Sequence, residues 1–250
     1  MIDFTKFKIE IHTNRETPIV ENTNLFYVKD EAIDELFVKV FYENIEIGQG
    51  IVLDFYKEFL NIENNGGKIT QIKTFPFYGT TKDKYTNYGN KIYKLKYLKN
   101  PPSKPSEDER NIYISEFAND INQYITQLLE ISEDLKLAYI SSASQVPDDI
   151  AKELENITSL EIANIVLKNS GIDSKSITTF QEGVANSILK YSIDESYLTT
   201  NLDTRYIIID DVMGNGSSIA TVLKKLYDKT QKLNYFFIVA KDVRRWKVYL

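Results

Sequence analysis

Apolar and polar positions alternate along the first hundred residues, whereas after residue 106 the apolar positions recur at intervals of three and four. Alternating or β-branched runs at Phe7–Ile11, Leu25–Val28, Leu36–Tyr42, Ile51–Tyr56 and Lys91–Tyr97 predict strands. Turn signals stand at Asn64-Asn65-Gly66-Gly67 and at Tyr88-Gly89-Asn90. How these strands pair is not written in the pattern. The stretch from Asn100 to Ser106 holds three of the chain's six prolines, which predicts an extended connector. It divides the chain into a β-rich region, 1–105, and a second unit, 106–250.

Beyond the connector, Ser106 and Glu109 have the form of a capping box, and Ile114, Phe117, Ala118, Ile121, Ile125 and Leu128 fall on one helical face. A long helix is predicted from Glu107 to Ile131. Leu137–Ile140 reads as a buried strand, followed by the turn Ser141-Ser142-Ala143-Ser144. Thr158 with Glu161 repeats the capping-box spacing and predicts a helix closed by Gly171. Tyr206–Ile209 is a second continuous apolar run, and Tyr235–Ala240 a third. Strands alternating with helices predict an α/β fold, a parallel sheet with helices on both faces, preceded by the β-rich region. No internal repeat is present.

Composition narrows the chemistry. At 250 residues and 42% hydrophobic the chain can bury a sizeable core, and its lack of cysteine removes disulfides, zinc ribbons, iron–sulfur clusters and thiol nucleophiles. The opening MIDFTKFKIEIH mixes charge with apolar residues, so no secretory signal is expected, and no apolar run approaches the roughly 20 residues of a membrane span. A cytoplasmic protein is therefore expected, with no membrane partner and with homo-oligomer formation left open. A net charge of −6 argues against a general nucleic-acid coating role. Between Lys68 and Lys99, however, lysines (Lys73, Lys82, Lys84, Lys91, Lys94, Lys96) interleave with aromatics (Phe75, Phe77, Tyr78, Tyr85, Tyr88, Tyr93, Tyr97). That pattern suits stacking and neutralising a single strand. The plainer reading, a solvent-facing surface rich in Tyr and Lys, is preferred, as is a strand role for the single histidine, His12.

Chemistry concentrates in Tyr206–Tyr227, YIIIDDVMGNGSSIATVLKKLY. A strand end carries two carboxylates, Gly214-Asn215-Gly216-Ser217-Ser218 turns the chain, and Ile219, Val222, Leu223 and Leu226 mark a helix. Ligands in open α/β sheets bind beyond the carboxyl ends of the strands, which would put Asp210 and Asp211 in the crevice. The glycines allow positive φ and close backbone approach. Ser217 or Ser218 can cap the helix, whose unbonded N–H groups favour an anion. The construction reads as a phosphate cradle beside two carboxylates able to accept hydrogen bonds from a diol.

This string resembles the phosphoribosyl pyrophosphate (PRPP) motif of type I phosphoribosyltransferases, and the order of elements from about residue 106 to 245 is similar to that fold. Leu95-Lys96-Tyr97 ahead of the long helix resembles the ComF-type branch. The resemblance implies that Asp210 and Asp211 hold the ribose hydroxyls and that Val212, Met213, Gly214, Asn215, Gly216, Ser217 and Ser218 wrap the 5′-phosphate. It implies a pyrophosphate turn at Ser141, Ser142, Ala143 and Ser144, and a mobile catalytic loop over Ser174–Leu202 with Lys175 and Lys190. Lys241 would contact the acceptor and Trp246 stack on it, although Lys241 to Lys247 also reads as a polar tail with one anchoring aromatic. Mg²⁺ would accompany PRPP, and no metal ligands are assigned in the chain.

Two departures stand out. Gly214 and Asn215 replace the usual Thr-Thr, and no Arg or Lys flanks Ser141–Ser144. The implied activity is transfer of ribose 5-phosphate from PRPP to an acceptor with release of pyrophosphate. The alternative is a PRPP- or nucleotide-binding accessory protein of reduced catalytic power, associated with nucleic acid.

Overall fold

The alternating runs of the first half form β1 (Phe7–Thr13), β2 (Leu25–Lys29), β3 (Leu36–Tyr42) and β4 (Ile45–Phe55) in the computed structural model. It describes residues 2–15, 24–57, 64–65, 68–69, 75–77, 80–82, 85–100, 102–132, 134–169 and 179–242. Two short hairpins follow β4: β5 (Asn64–Asn65) with β6 (Lys68–Ile69), and β7 (Phe75–Phe77) with β8 (Thr80–Lys82). Next come helices α1 (Asn87–Tyr97) and α2 (Glu107–Ile131), strand β9 (Leu135–Tyr139), helix α3 (Val146–Thr158) and strand β10 (Val166–Lys168). Helix α4 (Phe180–Lys190), strand β11 (Tyr191–Ile193) and the short helix α5 (Glu195–Thr199) lead to β12 (Arg205–Met213), helix α6 (Ser217–Thr230) and β13 (Asn234–Lys241).

Seven strands make one mixed sheet in the order β2-β1-β3-β4-β13-β12-β9. The half containing β4, β13, β12 and β9 is parallel, as the alternation of strands and helices predicts. β3 runs antiparallel to both β1 and β4, and β2 is parallel to β1. The join lies at β4, where Gly48 to Phe55 run in parallel register with Asn234 to Lys241. Strands from both sides of the proline-rich connector therefore share one sheet. The reason is burial: β4 gives Val52 and Phe55 to the core on one face, and Leu53, with the adjoining Tyr56, to the core on the other. A strand apolar on both faces needs cover on both.

The first face is covered by α4 and α6, through Phe180, Val184, Ile219 and Leu223, and the second by α1, α2 and α3, through Ile92, Phe117, Ile121 and Ile150. Successive residues of β12 divide between them, Tyr206 and Ile208 to the first and Ile207 and Ile209 to the second. Helix α2 begins with the predicted capping box, both hydrogen bonds formed, and buries Ile114, Phe117, Ala118, Ile121 and Ile125. No helix among the described residues is long and apolar enough to cross a membrane.

Two local expectations are corrected. Lys91–Tyr97 is not a strand but most of α1, and Tyr88-Gly89-Asn90 lies in its first turn. The alternating window also satisfies a helical period through Tyr88, Ile92 and Leu95. What decides between them is the hydroxyl of Thr86, which accepts the Gly89 N–H at 3.0 Å and starts a helix. Thr158 does not open a helix; it ends α3, with its hydroxyl donated back to the Leu154 carbonyl at 2.7 Å and Ser159 in the left-handed region at φ 60°. Helix α3 starts instead at Val146 with Pro147 in its first turn, and its spacing Val146, Ile150, Ala151 and Leu154 carries the buried face. Gly66, Gly67, Gly171, Lys73, Tyr78, Lys84, Lys175 and Trp246 lie outside the described residues.

Candidate functional site

β12 continues past its acidic pair to Met213, so Asp210 and Asp211 sit within the strand rather than beyond its end. Adjacent strand residues point to opposite faces. Asp210 accordingly lines a cavity against α4 and α6, while Asp211 turns toward α1 and the Ser141–Ser144 turn. The two carboxyls, expected to grip one diol together, occupy different surroundings.

On the first face, the chain turns at Gly214-Asn215-Gly216 into α6. Gly216 has φ +80°, a conformation that favours glycine, and a Cβ there would press on the side-chain ends of Ile9 (Cδ1, 2.6 Å) and Met213 (Cε, 2.9 Å), which would have to shift. The Ser217 N–H donates to Asn215 Oδ1 at 3.1 Å, and Asn215 Nδ2 donates to the Thr179 carbonyl at 3.1 Å. Asn215 thus ties the loop to the start of α4. Gly183 lets that helix close in, since a Cβ there would lie 2.4 Å from Ser217 Oγ.

Lys241, 1% exposed, is turned under the loop. Its ammonium donates to the carbonyl of Gly214 at 2.5 Å and of Asp242 at 2.8 Å, with the Met213 carbonyl at 3.4 Å. Because the peptide unit is planar and trans, carbonyls drawn toward Lys241 send the following amides the other way. The Lys241 ammonium is thus directed at carbonyls of the loop and of its own strand end.

The result is a cavity of about 140 Å³ bounded by Gly183, Asn186 and Ser187 of α4, by Asp210, and by residues 212–219. It stands at the N-terminus of a 14-residue helix, where amides lack intrahelical partners and the dipole favours negative charge. Asp210 is 9% exposed, and its Oδ1 accepts the Asp211 N–H at 2.8 Å. Burial, and after it the charge of Asp211, pushes its carboxyl up to about 8. A neutral carboxylic acid in that position can donate a hydrogen bond and does not repel an anion.

On the second face, Asp211 is 3% exposed and accepts from Lys96 Nζ at 2.8 Å and from the Ser142–Ser144 hydroxyl pair, whose oxygens lie 2.7 Å apart and 3.4 and 3.1 Å from Asp211 Oδ2. Burial alone would lower the Lys96 ammonium, but the charge and hydrogen bond of Asp211 reverse this, and the net shift is upward. Arg110 of α2 donates to the Ser144 carbonyl at 3.1 Å and is anchored on Asp149, with Nε at 3.0 Å from Oδ2. A turn with no cation beside it in the sequence is therefore reached directly by Arg110 of α2, and Lys96 of α1 shares Asp211 with its serines. Sequence reasoning missed both as site residues; Lys96 lies 115 positions from Asp211, and its only signal was its place in Leu95-Lys96-Tyr97.

The remaining lysines of α1 are engaged as well: Lys91 pairs with Glu116, and Lys94 donates to the Tyr113 hydroxyl at 3.2 Å. Lys190 ends α4 with its ammonium 5.2 Å from the Tyr191 ring centre. No group of three or more His, Cys, Asp or Glu placed to hold a metal ion occurs among the described residues.

No family model matches the sequence, and no curated protein does. Among solved structures, a hypoxanthine phosphoribosyltransferase from Staphylococcus aureus is similar at 15% identity and a TM-score of 0.33, over 55% of this chain and 67% of that one. A likeness of that size assigns neither fold nor activity, so the functional reading rests on the residues described above.

Proposed function

We propose that this protein binds PRPP and transfers its ribose 5-phosphate to an acceptor, releasing pyrophosphate. One observation carries the reading: a cavity of about 140 Å³ at the N-terminus of α6, lined by Gly214–Ser218 and by Asp210. Such a site accepts a phosphate through amides, and the Gly214 and Asn215 departures from the family's hydroxyls are consistent with a cradle built from backbone. A ribose whose phosphate occupies the loop would meet Asp210 with its hydroxyls. Its diphosphate would lie toward Lys96, Ser142 and Ser144, where positive charge and hydroxyl donors stabilise a leaving group. In the transfer, the bond from the anomeric carbon to pyrophosphate oxygen breaks, a bond to the acceptor forms, and the acceptor's proton is released.

Mg²⁺ fits this chain only as a companion of the diphosphate. Both Asp211 oxygens face Lys96 or the serines, and burial raises the Asp210 carboxyl and so favours its neutral form, so the residues present do not make a magnesium cage of their own. The engagement of Asp211 also favours a second reading, binding of a phosphoribosyl ligand without transfer. Calorimetric titration of ribose 5-phosphate and PRPP, followed by an assay of pyrophosphate release over a panel of acceptors, tests both. Absence of binding by either ligand rejects the site; binding without release under any acceptor supports the second reading.

A further inference from the structure

We infer that the Asp211 carboxylate is an internal occupant of an oxyanion site, which takes up pyrophosphate only when that carboxylate withdraws. Donors from two separate elements converge on it: Lys96 Nζ of α1 at 2.8 Å, and from the turn after β9, Ser144 Oγ at 3.1 Å and Ser142 Oγ at 3.4 Å. The two serine hydroxyls lie 2.7 Å apart, so one of their protons links the pair and the other is left for the carboxylate; an ammonium and a hydroxyl proton converging on anionic oxygens suit a phosphate or pyrophosphate group. The carboxylate is thus a stand-in for such a ligand, supplied by the chain itself.

The donors are held by contacts that do not involve Asp211. Arg110 fixes the turn through the Ser144 carbonyl at 3.1 Å and is itself bound to Asp149, and the two serine hydroxyls lie 2.7 Å apart. Lys96 is carried on α1, which is seated in the core by Ile92. If Asp211 rotates about χ1, these groups stay in place and lack an anion, which is costly for a largely buried ammonium. A diphosphate has the charge to replace the carboxylate; a neutral ligand does not. Asp211 therefore acts as a built-in competitor, satisfying Lys96 while the site is empty and setting a threshold of charge for any ligand that enters.

The identity of the oxyanion rests on the phosphoribosyl reading above, whereas the occupancy by Asp211 does not. The probe is inorganic pyrophosphate, titrated calorimetrically into the full chain with EDTA present, after circular dichroism has established folding. Asp211→Asn, which keeps an acceptor but removes the competing charge, is expected to bind pyrophosphate about tenfold more tightly than the parent. Lys96→Met combined with Asp211→Asn leaves no lone buried charge and is expected to lose that gain. Equal or weaker binding by Asp211→Asn, or a gain that survives in the double variant, overturns the inference. Should Asp211→Asn not fold, the Asp211 carboxyl carbon resonance of the parent serves instead: it is expected to move as pyrophosphate saturates, and a resonance that stays put overturns the inference. Ribose 5-phosphate titrated into the parent separates the two proposals. Its binding without a pyrophosphate gain rejects the occupant alone, and a pyrophosphate gain without its binding rejects the phosphoribosyl reading alone.

Discussion

Replacing Asp210 with Asn is expected to remove a loss of stability that the parent suffers as pH rises. The carboxyl is buried beside the loop cavity, where burial first and Asp211 second raise it from 3.8 to about 8. The folded state therefore keeps a proton that the unfolded chain releases, and between these values the native state binds more protons than the unfolded one. The stability contribution is full below about pH 4 and is lost progressively as pH rises toward 8. One proton corresponds to about 1.4 kcal/mol per pH unit, so between pH 5 and 7 the parent should lose about 1–3 kcal/mol relative to Asp210→Asn.

Asn preserves an acceptor for the Asp211 N–H, now 2.8 Å from Asp210 Oδ1, and cannot ionise. Glu10, Glu161 and Asp194 are held below their ordinary values by hydrogen-bonded partners, so they act with the opposite sign and mainly in acid, outside the window. Asp148, raised by burial, acts in the same direction as Asp210 but is present in both proteins and cancels in the difference. Urea unfolding followed by circular dichroism at pH 5, 6, 7 and 8 measures the difference directly. Parent and variant curves that run parallel over this range would refute the reasoning.

Gly216→Val places a branched side chain at φ +80° and against Ile9 and Met213, so it should lower stability by about 1–3 kcal/mol and abolish ribose 5-phosphate binding; thermal unfolding and calorimetry measure the two effects. An unshifted melting temperature would contradict the packing behind the loop. Lys241→Met removes the ammonium that draws in the Gly214 and Asp242 carbonyls, and amide exchange at Gly214–Gly216 should quicken while ribose 5-phosphate affinity falls about tenfold; unchanged exchange would show that Lys241 does not hold the loop. Ser106→Ala breaks the capping box of α2 and should cost about 1 kcal/mol in urea unfolding.

Features that depend on a few neighbouring residues were legible from sequence. The capping box at Ser106 and Glu109, with the apolar face it introduces, determines where α2 starts and which side it buries, because cap and period act within one or two turns. The positive φ at Gly216 was legible as a glycine in a short loop that turns a strand into a helix. The apolar runs at Tyr206–Ile209 and Tyr235–Ala240 are both central strands, since a run without alternation has no face to give to water.

Other features were decided by tertiary structure. Lys91–Tyr97 suits either period, and its cap and its seat against the sheet made it a helix. Reading residues 1–105 alone could not reveal that β4 would pair with a strand nearly two hundred residues later, because strand pairing is chosen by long-range burial and not by local propensity. Lys96 comes to Asp211 and Arg110 to the Ser144 carbonyl from two helices, and Lys241 turns under the loop it follows. The sequence supplied the number and type of these charges. Their partners were set by topology, since a buried charge takes the counter-charge that the folded chain brings within reach, whatever its distance along the chain.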